Sequence, residues 1–341
     1  MATEDASYQE PYPLYNTTFT LHRLAPLYIG HSGPLTNASL LAHARRFRDL
    51  LAGDVLRGVR VGLGSDEDVL ARVGALQTVT WRVLVDEEFW DGDVGDETQM
   101  EVVGQGRGIH VVVSYEKARY AAFLLRGREE RDIEEGFQRF PLLLTRMPGA
   151  LRDTFTGFLA STFDTRVSAL ALGRGYLTSA LESYITNCLV GEDGEAVELA
   201  ESSQALRKIL KDVQVVIGFD LPSVNQSLKT IDILIAREDL PRLVQSGKRI
   251  ARNGGEENPQ PFTDALTSYV HTHLALDMRH ESVKILKIAC GSFVLGAEGK
   301  AKLTEPSISD GGDVQRRATG MLVEKLIELA KGGKMSTGID G

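Results

Sequence analysis

The stretch that most restricts the fold is "GIHVVVSYEKARYAAFLLR", residues 108–126. Two β-rich apolar runs flank the three residues "EKA". That connection suits an antiparallel hairpin and is far too short for a parallel crossover. Upstream, "LQTVTWRVLV" alternates clearly: Val79, Trp81, Val83 and Val85 share one face, and Thr78, Thr80 and Arg82 the other. Further strands are expected in "LYNTTFTLHRLAPLY", "GVRVGL", Val167 to Leu172, "VQVVIGFD", "LKTIDILIA", "VKILKIA", "SFVLGAE" and "KAKLTE".

Helical periods stand between these strands. In "LLAHARRFRDLLAG" the residues Leu40, Leu41, Ala44, Phe47, Leu50 and Leu51 form one stripe, with Thr36 or Asn37 as cap and Gly53 as terminator. Other helices are expected from Pro148 to near Phe163, in "TSALESYITNCL", near "SQALRKILK", over about Phe262 to Leu276, and around "VQRRATGMLVEKLIELAK". "GKRIARNGGEENPQP" reads as a flexible connection. There is no regular βαβ alternation and no internal repeat, so the class is α+β, with meandering, mainly antiparallel sheets and packed helices. Residues 1–11 are expected to be disordered and 12–127 to form an N-terminal α+β region. Residues 128–139 are the charged connector, 140–334 a C-terminal α+β region, and 335–341 a disordered tail.

Charge narrows the partners. The chain carries 38 basic and 47 acidic residues, a net charge of -9, so as a whole it is repelled by nucleic acid and by anionic membranes. Contact with DNA then needs a local patch or a basic partner. The candidate patch is Arg45, Arg46 and Arg48 with His43, extended by Arg57 and Arg60. Few aromatics interleave these arginines, so they suit phosphate contact without base reading. The plainer alternative pairs Arg45 with Asp49 at i, i+4 and leaves the rest solvated. The two cysteines, Cys188 and Cys290, exclude a disulfide framework and a Cys-rich zinc site, and fit a reducing compartment. The acidic N-terminus is no signal peptide and no window approaches a membrane span, so an intracellular protein is expected.

The most enzyme-like fragment is "YVHTHLALDMRH", with His271, His273, Asp277 and His280. A metal-dependent hydrolase built on His271, His273 and His280 would need them convergent. The flanking Leu266, Tyr269, Val270 and Leu274 are helically spaced, which turns His271 and His273 about 200° apart. "GLGSDED" and "GQGRG" lack a P-loop's Gly-Lys-Ser/Thr, and no nucleophile elbow or His-Glu-x-x-His occurs. No enzyme, metal or cofactor is expected. The strands "VKILKIA" and "SFVLGAE" must be covered or edge-paired. Ile285, Leu286, Ile288, Phe293 and Leu295 are therefore either internal core or the candidate interface for a partner that adds a strand.

Taken together, "LYNTTFTLHRLAPLY", "LLAHARRFRDLLAGDVLRGVRVGL", "FPLLLTRMPGALRDTFTGFLASTFDTRVSALAL" and "VKILKIACGSFVLGAEGKAKL" resemble the fungal members of the centromere protein L (CENP-L) family, from about Tyr12 to Leu303. The resemblance implies a saddle-like α+β fold similar to that of bacterial recombination-associated DNA-ring proteins. It implies a non-enzymatic structural subunit of the constitutive inner kinetochore (CCAN), nuclear and centromeric. It also implies a heterodimer with centromere protein N through the C-terminal β-region, with a basic groove beside centromeric DNA. In that assembly the partner reads the nucleosome. Homodimerisation of the isolated chain stays open, and a free DNA-binding recombination factor is a third reading.

Overall fold

The structure, a computed structural model, describes residues 11–31, 34–56, 73–90, 106–130, 136–189, 199–220, 229–254, 260–307 and 311–332. "GVRVGL", with Arg57 and Arg60, lies outside them, as do residues 1–10 and 333–341. The chain divides into two compact units, one mainly Phe19–Leu170 with Leu326–Lys334, the other mainly Ala171–Lys325.

The first unit contains β1 (Thr18–Leu24), β2 (Leu27–Tyr28), α1 (Asn37–Leu56), β3 (Leu76–Leu84), β4 (Gly108–Tyr115), β5 (Arg119–Leu125), β6 (Phe137–Gln138), β7 (Leu142–Arg146), α2 (Gly149–Phe163) and β8 (Val167–Ala169). Its strands run β1-β7-β5-β4-β3, with β8 also on β1 and β2 paired to β6. The expected hairpin is β4–β5, in register from Gly108↔Leu125 to Ser114↔Arg119. Beyond it, β5 pairs with β7 from Ala121↔Arg146 to Leu125↔Leu142. That pairing explains why the units do not divide at the charged connector. The connector only links two neighbouring strands, and the break falls at Leu170/Ala171 instead.

α1 begins at a reciprocal cap. The Thr36 amide donates to Ser39 Oγ at 2.8 Å, and the Ser39 amide to Thr36 Oγ1 at 3.3 Å. The helix runs through Gly53 and does not stop there. It buries a narrower stripe than the sequence suggests. Leu40, Ala44, Phe47 and Leu51 are core, whereas Leu41 is 52% and Leu50 38% exposed. The four buried positions span only about 60° of helix surface, and Leu41 and Leu50 lie about 60° beyond either margin. One sheet face cannot reach both flanks. Against the stripe, Phe47 meets Phe158 at 5.0 Å and Phe155 at 5.4 Å between ring centroids, and Trp81 lies 6.0 Å from each of those two. Such tilted contacts add to the burial of four large rings.

The second unit contains α3 (Arg174–Cys188), α4 (Leu199–Ile209), β9 (Val213–Phe219), β10 (Thr230–Ile235), α5 (Leu240–Gly254), α6 (Pro261–Leu274), β11 (Val283–Ala289), β12 (Phe293–Gly296), β13 (Lys300–Leu303) and α7 (Gly312–Lys331), whose last residues from Leu326 belong to the first unit. Its strands run β10-β9-β11-β12-β13. Tyr184 anchors the core, its ring 5.0 Å from Phe293 and its hydroxyl 3.2 Å from Thr319 Oγ1.

Three details differ from expectation or sharpen it. "GKRIARNG" is not a flexible connection but the second half of α5. Gly247 is buried there, because a Cβ would fall on the backbone of Pro261 at the start of α6, 2.6 Å from its Cα. The first turn of α6 is also held from α3. Glu182, 8% exposed, accepts the Phe262 amide at 3.1 Å, the Thr263 amide at 3.1 Å and the Thr263 hydroxyl at 3.2 Å. Pro261 has no amide hydrogen, so this one carboxylate satisfies the free donors of the first three helical positions. Lastly, β11 carries a bulge at Leu286, between Ile285↔Ile217 and Lys287↔Val216.

Cys188 is buried and Cys290 part-exposed as a residue, and burial pushes both thiols up, Cys290 to about 11. Among the described residues no helix is long and apolar enough to cross a membrane.

Candidate functional site

A helix turns successive side chains by about 100°, and this rotation divides the arginines of α1. Arg45 and Arg48 stand about 60° apart, on the side that also shows Leu41. Arg46 points about 160° from Arg48, towards the flank of His43 and Leu50. All three are exposed. Among the described residues none of them makes an ion pair, and the Arg45–Asp49 pair is not formed. Two arginines therefore share one ridge and the third does not.

His43 belongs to the core and not to the basic patch. Its ring lies 4.7 Å from Phe163 and 6.1 Å from Trp81, and its Nδ1 is buried without a partner. Burial, and secondarily the Arg46 charge, lower its pKa and hold it neutral. A neutral, packed imidazole contributes nothing to phosphate attraction.

The nominated interface residues are mostly interior. Ile285 (4% exposed), Ile288 (1%), Phe293 (0%) and Leu295 (0%) are core, and only Leu286 is half-buried. The strands that carry them have neighbours on both sides: β11 lies between β9 and β12, and β12 between β11 and β13. Of the two readings offered by the sequence, burial within the chain accounts for these four side chains. The open side is elsewhere. Among the described residues β10 pairs with β9 alone. There Leu234 is 70% exposed, and Ile231 and Ile233 are half-buried.

The histidine fragment does not converge. His271 and His273 are exposed on α6, and His273 packs its ring 4.4 Å from Tyr269. His280 lies beyond the helix, where its Nδ1 accepts the Ser282 amide at 3.1 Å, and Asp277 Oδ1 accepts the Arg279 amide at 2.8 Å. Among the described residues no group of three or more His, Cys, Asp or Glu is placed to hold a metal ion.

Sequence reasoning missed the exposed basic positions of α5. Arg242 and Arg249, seven residues apart, lie on one ridge with Ser246, and the exposed Lys248 points about 100° away from Arg249. The signal was present in the helical spacing of Leu240, Leu243, Val244 and Gly247, all turned inward or half-buried.

With the fold and these surfaces established, the chain can be placed among known proteins. The family model for centromere protein L (CENP-L) matches residues 13–331. The chain belongs to the centromere protein L family. The match takes in both units and extends past Leu303 through α7, beyond the blocks that carry the resemblance in sequence. The centromere protein L family is nuclear, acts at the centromere and kinetochore in chromosome segregation, and consists of structural kinetochore subunits and not of known enzymes. Comparison with curated proteins finds no significant match.

Proposed function

We propose that the chain is a non-enzymatic structural subunit of the constitutive inner kinetochore. In this reading it forms a heterodimer with centromere protein N, and the pair lines a groove along the centromeric DNA backbone. The observation that carries the proposal is the family match over nearly the whole chain. Two structural features make it specific. The unpaired side of β10, with Leu234 exposed beside it, is suited to strand addition by a partner. The Arg45–Arg48 ridge is suited to phosphate contact, with Arg46 turned away.

Co-expression with centromere protein N followed by size exclusion tests the pairing; one co-eluting peak is expected. Proline at Ile233 removes a backbone donor and disturbs the ladder at an edge strand, and should split that peak while leaving most of the circular dichroism signal. Two separate peaks for the unaltered proteins at low salt would overturn the heterodimer.

The DNA contribution is read from salt dependence. Each phosphate contact adds about one unit to the slope of log affinity against log salt. Arg45→Glu with Arg48→Glu should therefore flatten the heterodimer's slope by about two units, whereas Arg46→Glu should leave it nearly unchanged. Equal effects from all three positions would remove the ridge from the groove.

A further inference from the structure

The first unit bears an open concavity of about 410 Å³ that none of the surfaces above uses. Arg23 from β1, Arg139 ahead of β7, Arg166 and Ser168 around β8, and Glu130 with Lys331 from the end of α7 line it. Four cations face one carboxylate. That carboxylate is already committed: Glu130 Oε2 lies 3.1 Å from Lys331 Nζ, which also bonds Glu328 Oε1 at 2.7 Å. Lys331 is thereby balanced, and it offsets the negative end of its own helix. Among the described residues, Arg23 and Arg166 have no ion-pair partner. Two guanidinium forks in one concavity, with the hydroxyl of Ser168, are therefore not neutralised by a carboxylate of the described residues.

The walls are preformed. The Leu24 amide donates to the Pro141 carbonyl at 2.9 Å, and the Ala25 amide to the Arg166 carbonyl at 2.9 Å. The Thr165 hydroxyl donates to the Ala25 carbonyl at 2.7 Å. Arg23 and Ser168 are directly paired across β1 and β8, so their side chains leave the same face. An anion entering here meets donors whose backbone positions are already fixed, which lowers the ordering cost of binding.

We infer that this cavity binds the phosphate of a phosphoserine or phosphothreonine on a partner peptide, held by Arg23 and Arg166. A phosphate monoester carries about -1.5 to -2 charges at neutral pH, which matches two arginines, and its oxygens suit bidentate forks. A nucleic-acid strand suits the site less well. It presents single-charge diesters in a row, each carrying less charge than the two arginines can neutralise, whereas a monoester concentrates that charge on one phosphate. The net charge of -9 on the chain also repels nucleic acid.

The test uses the full chain and immobilised degenerate peptide libraries with a fixed central phosphoserine or phosphothreonine, alongside the same libraries after phosphatase treatment. Retention is expected on the phosphorylated beads only, displaced by free inorganic phosphate and not by a 20-base-pair duplex. Arg23→Gln with Arg166→Gln should reduce retention at least tenfold at an unchanged melting temperature, since both side chains are exposed. Arg166→Lys, which keeps charge and loses the fork, should fall between. Equal retention on dephosphorylated beads, indifference to the double substitution, or displacement by the duplex would each overturn the assignment; the last would make the cavity a nucleic-acid backbone site.

Discussion

Replacing Gly247 with alanine is expected to destabilise the second unit by about 2–3 kcal/mol, against the usual sign for a helical glycine. Elsewhere in a helix the same change gains about 1 kcal/mol, because alanine loses less conformational freedom. At Gly247 the added methyl falls on the backbone of Pro261, which has no flexible end to yield, so α5 and α6 must separate. Gly157 on α2 is the internal control. It is exposed and a Cβ there meets nothing within 4 Å, so Gly157→Ala should stabilise. Thermal melts of the two variants should move in opposite directions, each kcal/mol being worth about 2–4 °C in a unit of this size. A rise for both would mean that the α5–α6 contact is looser than described.

Glu182→Ala should cost about 3 kcal/mol, since one buried and one part-buried backbone amide at the start of α6 lose their acceptor at about 1–3 kcal/mol each, less the relief of a desolvated carboxylate. Burial is the largest influence on Glu182 and raises its pKa. The amide bonds from Phe262 and Thr263 and the Thr263 hydroxyl oppose that rise, and Asp264 adds to it. The native state therefore holds the proton more tightly than the unfolded chain. This proton-linked part of the stability is complete below the ordinary glutamate value of about 4.3 and is lost as pH rises through the higher native value. Urea unfolding across that range should show stability of the unaltered protein falling with pH, and Glu182→Gln should flatten the fall. Glutamine keeps an acceptor for Phe262 but turns an amino group towards the Thr263 amide, so its cost should be intermediate. An unchanged pH profile in the glutamine variant would assign the dependence to another group.

Gly247 and Glu182 act on the same turn of α6, and neither role was visible in the sequence. Gly247 sits in "GKRIARNGG", where two glycine signals and dense charge imitate a loop. Only the partner backbone at Pro261 shows why the glycine is needed. Local features were legible where the geometry is local. The β4–β5 hairpin follows from a three-residue connection, and Trp81 faces the core because the run from Thr78 to Val83 alternates. "VKILKIA" was obscured by a single residue. Without Leu286 it reads Val-Lys-Ile-Lys-Ile, strictly alternating, and the bulge lets Ile285 and Ile288 both be buried although they are three apart. Leu286 itself lies over Gly218, where a Cβ would come within 2.5 Å of its methyl.

The candidate sites follow the same rule. The splitting of Arg45 and Arg48 from Arg46 needs only the helical rotation and was available in the sequence. That β10 stands at an edge and β11 does not was hidden, because β11 takes its partner β9 from about seventy residues away and so closes the side that the terminal strands offer in sequence. The cavity residues, at positions 23, 139, 166 and 331, share no local pattern at all.

The two native thiols give this protein a practical property. A thiol reacts as its thiolate, and burial keeps Cys188 and Cys290 protonated at neutral pH, with Cys290 pushed up to about 11. These are the only cysteines in the chain. A single cysteine introduced on the surface, at Leu234 beside the open strand or at Ser168 in the cavity wall, will then be the preferred site for a maleimide dye. Fluorescence can report partner docking and peptide capture separately, on a protein whose own cysteines need not be removed.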